Sequence, residues 1–292
     1  MILFAAMIFA ACSSDDPVMP GLEQPADERT AVNIMTRTNE GNQGGQVQAG
    51  LFMVNYKNGQ PDNLLPSNNY VNNQLLTWSN SGWTTDTPIY WNDTETPADF
   101  YAYAPYQPSI ADARKMDFSV QTDQSTAAAF AQSDFLWGCV QGQSPSTEGF
   151  NLTLTHRLCQ LTVSVTADTG FDENELQSKD VTVTFGGSKT HCVIDLATGT
   201  TTATGTASDV KCMNNGDLSF KAVLIPQQVP FSDLIQIDWK GNVYTLQNSF
   251  KLEAERQYTL TVKLKKSKSG FDVGIVGWDI ISEDFGGVIG GS

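Results

Sequence analysis

Residues Asn151–Thr166 read NLTLTHRLCQLTVSVT. Apolar and polar residues alternate through this run with a period of two, the period at which successive side chains of an extended chain point to opposite faces. Leucine, valine and threonine suit a pleated, half-buried surface. The run is therefore a strand, and an unusually long one. The chain on either side reads the same way in shorter pieces. Before it, Val32–Met35, Gln48–Tyr56, Asn73–Trp78, Ile89–Trp91, Asp99–Tyr103, Met116–Val120 and Phe135–Val140 alternate, parted by turn residues such as Asn58-Gly59, Pro61-Asp62 and Ser81-Gly82. After it come Val181–Phe185, Cys192–Leu196, Leu218–Ile225, Leu234–Trp239, Val243–Leu246, Tyr258–Leu264 and Phe271–Ile281, with Lys240-Gly241-Asn242 as a tight hairpin. Apolar stripes at helical spacing are scarce, and Ser125–Ser133 is the one helix-like patch. The class is all-β. Gly142–Gly149, GQSPSTEG, has linker composition. With roughly seven strands on each side of it, the chain is expected to form two β-sandwich domains in series, over residues 30–148 and 149–292.

The chain has 292 residues, with 17 Lys+Arg against 32 Asp+Glu and a formal net charge of −15. That length gives room for two cores. The acidic excess argues against nucleic acid or an anionic membrane surface as partner, because phosphates must be met by Lys and Arg. Only two histidines are present, His156 and His191, which weighs against a His-based metal centre or triad. His156 lies inside the long strand and reads as a packed structural residue. His191 stands beside Cys192, and neighbours in a strand point to opposite faces, so the two do not share a metal. No GxSxG, HExxH, P-loop or dinucleotide-type glycine pattern occurs. Phe185-Gly186-Gly187 and Phe285-Gly286-Gly287 follow apolar runs but open no helix, which argues against phosphate binding. Carboxylates are plentiful, yet no pair stands out as a glycosidase acid and nucleophile. The reading is non-enzymatic, with no catalytic residues, metal or cofactor expected.

Two features admit alternatives. Trp78, Trp83, Tyr90, Trp91, Phe100, Tyr101, Tyr103 and Tyr106 crowd together, either as a platform for sugar rings or as a sandwich core with its rim. Alternation places Phe100 on one face and Tyr101 and Tyr103 on the other, which favours the core. Of the five cysteines, Cys139, Cys159, Cys192 and Cys212 show no CxxC spacing. Cys192 and Cys212 flank a Thr/Gly-rich stretch centred near Thr202. A hairpin turn there would set them opposite one another and allow a disulfide, with buried free thiols as the alternative.

The N-terminal run MILFAAMIFAA, residues 1–11, is apolar, uncharged and shorter than the about 20 residues of a membrane helix. It fits the h-region of a signal peptide. No basic n-region precedes it, which leaves open whether the first Met is the true start. Ala10-Ala11 directly before Cys12 resembles a bacterial lipoprotein signal, with Cys12 the lipidated residue carrying acyl chains such as palmitate. An ordinary signal peptide that contains a cysteine is the alternative. Residues 12–29 open with Ser13-Ser14-Asp15-Asp16 and are rich in Pro and acid; they read as a flexible tether.

Taken in order, several motifs resemble the Bacteroides-type fimbrillin family. TPIYW (Thr87–Trp91) followed by DFYAYAPY (Asp99–Tyr106) is similar to that family's first domain. LTHRLCQLTVSV (Leu154–Val165), LIPQQ (Leu224–Gln228), QYTLTVKL (Gln257–Leu264) and GIVGWDI (Gly274–Ile280) are similar to its later strands. The resemblance implies two tandem transthyretin-like β-sandwiches in a major or minor fimbrial subunit, exported as a lipoprotein to the outer membrane and clipped by an Arg-specific protease. It implies homo- or heteropolymers with other fimbrial subunits by strand exchange, and adhesion to a host or bacterial surface ligand. Carried onto this chain, Arg37 is the expected processing site and Arg29 its competitor. Thr30–Arg37, with Val32 and Ile34 on one phase, is the strand to be displaced. The candidate donor is Phe271–Ile289. There Phe271, Val273 and Ile275 alternate, Val276-Gly277 breaks the phase as a bulge would, and Trp278 and Ile280 resume it. A monomeric surface glycan-binding lipoprotein, using the aromatic cluster, is the alternative function.

Overall fold

Ala98–Ala104 is a strand in which every residue is buried. A strand reaches that state only where both faces of its sheet are covered. The computed structural model describes residues 29–35, 47–79, 82–171, 175–266, 273–284 and 288–289. Strand makes up 58% and helix 4% of the described residues, so the protein is all-β. In chain order the elements begin with β1 (Ile34–Met35), β2 (Gln48–Asn55), β3 (Val71–Ser79), β4 (Gly82–Thr84), β5 (Ala98–Ala104), β6 (Met116–Ser119), α1 (Ala127–Gln132), β7 (Leu136–Gln143), β8 (Phe150–Asn151) and β9 (Leu154–His156). They continue with β10 (Cys159–Ala167), β11 (Val181–Asp195), β12 (Thr200–Lys211), β13 (Met213–Asn214), β14 (Ser219–Leu224), β15 (Gln227–Trp239), β16 (Asn242–Leu252), β17 (Arg256–Lys266), β18 (Val273–Asp284) and β19 (Val288–Ile289).

A seven-stranded sheet has the order β19-β9-β7-β5-β2-β3-β4. On one of its faces Leu51, Met53, Phe100 and Ala102 pack with Leu76, Trp78, Trp91, Phe150 and Leu154. On the other, Phe52, Val54, Tyr101 and Tyr103 pack with Phe118, Phe135, Leu158, Cys192, Ile194 and Val223. The alternation in Asp99–Tyr103 thus serves two cores at once. Two further sheets, β13-β14-β10-β17-β18 and β12-β11-β15-β16 with β6 added on β11, enclose a third core that includes Val163, Val183, Phe220, Ile235 and Val262.

The run Asn151–Thr166, expected as one strand, is three. β8 and β9 lie with the first half of the chain, and β10 is the middle strand of a different sheet. The break falls at Arg157-Leu158, where Arg157 N still donates to Phe135 O at 2.9 Å while Leu158 is buried between the sheets. Conversely, Val181–Phe185 and Cys192–Leu196, expected as two strands, belong to one. Val181–Phe185 pairs with β15 and His191–Ile194 with β6. The change of partner occurs at Gly186-Gly187. A Cβ on Gly186 would lie 2.1 Å from the Asp233 carbonyl oxygen, and Gly187 has φ +73°. The Phe-Gly-Gly stretch is a bulge that redirects a strand. The expected helix patch is α1, capped by the Thr126 side chain accepting from Ala129 N. The Lys240-Gly241 hairpin joins Trp239 to Asn242, with both turn residues at positive φ.

The expected disulfide does not form: Cys139, Cys159, Cys192 and Cys212 are free thiols. The hairpin turns at Leu196–Gly199, not near Thr202, so Cys192 faces Ala203 across β11 and β12. Cys212 N instead donates to Val183 O. Val183 lies nine residues back along β11 from Cys192, roughly 30 Å at about 3.3 Å per residue, far beyond the reach of a disulfide. Burial pushes the Cys139 thiol up to about 11 and those of Cys192 and Cys212 up to about 12, and raises Cys159 as well. A thiol reacts as its thiolate. In the native protein at pH 8 these four cysteines should therefore resist alkylation that the urea-unfolded chain undergoes readily, and a reductant should leave the intact mass unchanged.

Candidate functional site

Residues Thr30–Met35 form an extended ribbon in which Val32 and Ile34 are half-buried and Ala31, Asn33 and Met35 are exposed. The ribbon is held along both of its edges. On one, Val32 N donates to Ile89 O at 2.8 Å, Trp91 N donates to Thr30 O at 3.0 Å, and Ala31 bridges Tyr90. On the other, Phe150 N donates to Asn33 O at 3.1 Å and Leu152 N to Met35 O at 3.2 Å, with β1 parallel to β8. Asn33 Nδ2 adds a bond to Thr147 O at 2.9 Å. The seat of the ribbon is therefore built from Ile89–Trp91 and from the end of the linker-like stretch.

The floor of this seat is aromatic. Phe100 and Phe150 lie 4.4 Å apart, and Trp91 meets Phe100 edge-on at 5.4 Å. Trp78 and Trp83 form a second edge-on pair at 5.3 Å. Val32 and Ile34 pack against this core. Trp83 and Trp91 also keep buried indole N–H groups without a hydrogen-bond partner. With Trp91 only 2% exposed, these rings are not offered to solvent and do not make a sugar platform.

Two loops keep the walls in place. After Trp91, the Asp93 carboxylate is pushed up by burial but accepts from Thr96 Oγ1 and N, Glu95 N and Asn92 Nδ2, which together hold it at about 2. Its contribution is complete above about pH 3.8 and is lost as the pH falls through about 2. On the opposite wall Gly149 has φ +80°, and a Cβ there would come 2.6 Å from Asn33 O. Only glycine lets the linker end approach the ribbon this closely.

Arg29, one of the two expected processing residues, lies just before the ribbon. Its guanidinium stacks 4.4 Å from the Tyr90 ring centroid, and its Nε is enclosed without a partner. The stack borders a groove of about 320 Å³ lined also by Tyr70, Asn72, Gln74 and Pro88. Arg37, the lipidation candidate Cys12 and the first donor residue Phe271 lie outside the described residues.

Of the other donor candidates, Ile275, Trp278 and Ile280 are registered opposite Leu264, Val262 and Leu260, which are buried, and Val273 opposite Lys266. β18 is here an edge strand of its own sheet. The register shifts between Lys263 and Leu264 and leaves Val276 unpaired, the position at which the sequence breaks phase. Beyond it, β19 returns to the seven-stranded sheet and pairs with β9. The histidines join elements: His156 Nδ1 meets Asp134 at 2.8 Å, and His191 Nδ1 meets Ser119 at 2.7 Å. Sequence reasoning missed Thr147, Gly149 and Phe150 as parts of the seat. Their only signal is a glycine at the end of a linker followed by an apolar residue.

A family model described as fimbrillin-like matches residues 36–278. Among solved structures, the fold is similar to that of a "putative cell adhesion protein" of Bacteroides uniformis, with a TM-score of 0.64 and 20% identity over 90% of this chain and 100% of that one. A second "putative cell adhesion protein", of Bacteroides ovatus, gives 0.62 and 14% identity over 86% and 96%. A fimbrial protein of Bacteroides vulgatus gives 0.52 and 14% over 88% and 100%. At these identities the likeness is one of fold. No curated protein matches the chain.

Two outcomes follow from the seat. Gly149→Ala should speed amide exchange at Val32, Phe150 and Leu152 while leaving the amides of β10 protected, as read by hydrogen–deuterium exchange. Tyr90→Ala should raise the rate of cleavage after Arg29 by an Arg-specific protease about two- to fivefold, the equivalent of about 0.5–1 kcal/mol for an exposed cation–π contact. The rate is read by N-terminal sequencing over time.

Proposed function

The chain belongs to the fimbrillin-like family, and on that premise we propose that it is a fimbrial structural subunit that assembles at the cell surface by strand exchange and supports adhesion. The observation that carries this reading is the two-edged seat of Thr30–Met35 over an aromatic floor. A segment held by backbone bonds along both edges, with two side chains set into a core, leaves a groove when it departs. That groove has free donors and acceptors on both walls and apolar pockets at every second residue. It favours a new extended strand of alternating apolar residues, the mode of recognition known as β-augmentation.

On this reading the two halves, 30–148 and 149–292, act as tandem transthyretin-like sandwiches, and the subunit is non-enzymatic. Lipid on Cys12 and the tether over residues 12–29 hold the precursor at the outer membrane. Cleavage after Arg37 by an Arg-specific protease frees the ribbon together with the lipid. The stacking of Arg29 on Tyr90 supports Arg37 over Arg29 as the processed residue, because a protease must draw the arginine side chain into its own pocket. The alternating residues Val273, Ile275, Trp278 and Ile280 belong to the donated end. Such head-to-tail contacts join different surfaces of successive copies and therefore propagate as a filament rather than closing a ring.

Treatment of the full chain with an Arg-specific protease should yield a product that begins at Thr38 and forms SDS-resistant ladders. Ile34→Asp should quicken clipping by placing a charge against the apolar floor. Ile280→Asp should leave clipping unchanged but shorten the ladders. A clean cut that leaves a strictly monomeric product would overturn the reading.

A further inference from the structure

The ribbon and the C-terminal tail lie on the same edge of the same piece of chain. The polar groups of an extended backbone point alternately to its two edges. Over Thr155–Arg157 the odd-numbered residues face β7. Leu136 and Trp137 are registered on His156 and Thr155, and Arg157 N donates to Phe135 O at 2.9 Å. The even-numbered residues face away from β7. Phe150 N and Leu152 N donate to the ribbon, and β19, with Ile289 opposite Leu154, flanks β9 on the side away from β7. β1 is parallel to its partner, so its direction beyond Met35 is toward Thr153 and Leu154. β19 is antiparallel, so a strand continuing past Ile289 in register heads toward Leu152 and Asn151. The ribbon and β19 thus meet successive parts of the same edge, the ribbon at Phe150–Leu152 and β19 at Leu154–Thr155.

We propose that Val288–Ile289 is a self-cap: the subunit's own tail covers the second part of the acceptor edge, and an incoming strand must displace it, as well as the ribbon, to pair along the whole of Phe150–Thr155. This rests on the strand-exchange reading above and adds to it a competitor within the same chain. An uncovered sheet edge is a template for unwanted pairing. A segment tethered to the same molecule acts at an effective concentration of about millimolar, so even a two-residue contact outcompetes a dilute neighbour. A longer strand that spans both the ribbon's stretch and the tail's makes more backbone bonds and prevails once subunits are concentrated.

The test uses a labelled synthetic peptide of residues 271–292 and three forms of the protein clipped after Arg37: the natural chain, Ile289→Pro, and a chain ending at Asp284. Proline removes the ladder donor at that position. Both altered forms should capture the peptide about tenfold faster than the natural chain, followed by fluorescence anisotropy. In the unclipped protein, Ile289→Pro should speed amide exchange at Leu154 while leaving Phe150 and Leu152 protected. Equal capture rates in all three forms, or unchanged exchange at Leu154, overturn the self-cap and leave strand exchange standing. Absence of capture by every form overturns strand exchange itself, and the Leu154 amide then decides the self-cap alone.

Discussion

The backbone hydrogen bonds of Phe150–Ala167 tie the molecule together. Buried N–H and C=O groups must be paired, at a cost of about 1–3 kcal/mol for each one left unmade. From Gln160 to Ser164 both edges are taken, antiparallel to β14 and parallel to β17. At Thr155–His156 one edge is taken by β7, and along Phe150–Leu154 the edge turned away from it is met by the ribbon and by β19. The position of the ribbon and of the tail follows from this one half-satisfied segment.

A second brace runs beside it. β11 lends Val181–Phe185 to one sheet and His191–Ile194 to β6, a strand that precedes it in the chain by more than sixty residues. Polar groups secure that junction. Arg114 forks onto Asp195 at 2.8 and 3.1 Å. The fully buried Gln124 amide gives and receives bonds with the Val223 backbone, both at 2.8 Å, as a strand neighbour would. Arg157 covers the Trp137 ring and pairs with Glu255. Residues that could have carried chemistry, such as His156 and the buried cysteines, are occupied in packing or in joining elements.

The ribbon differs from the rest of the core in how lightly it is held. Backbone bonds along its two edges retain it, at about 0.5–1.5 kcal/mol each, and Val32 and Ile34 are only half-buried. β5 by contrast is buried on both faces and paired on both edges. A segment with a defined seat and a modest hold is one that another strand of better fit can replace. The aromatic floor beneath it has ring contacts of its own, Trp78 on Trp83 and Trp91 and Phe150 on Phe100.

Alternation with a period of two depends only on residue order, and so the sequence alone determined that the chain is all-β, that Asp99–Tyr103 presents different residues to two faces, that a bulge interrupts the final long strand at Val276, and that a ribbon bearing Val32 and Ile34 opens the first domain-like half. The motifs carried the family resemblance. Where strands end and whom they pair with was decided by tertiary structure. Thr200–Lys211, a strand of 12 residues, reads as turn-like because it is an exposed edge with little apolar content, and its ladder with β11 alone makes it a strand. That ladder, set by a turn a few residues earlier than expected, parts Cys192 from Cys212. The split of Asn151–Thr166, the shared strand β11 and the seat made by Tyr90, Gly149 and Phe150 all arise from hydrogen bonds between residues far apart in the chain, and a local pattern holds no record of a distant partner.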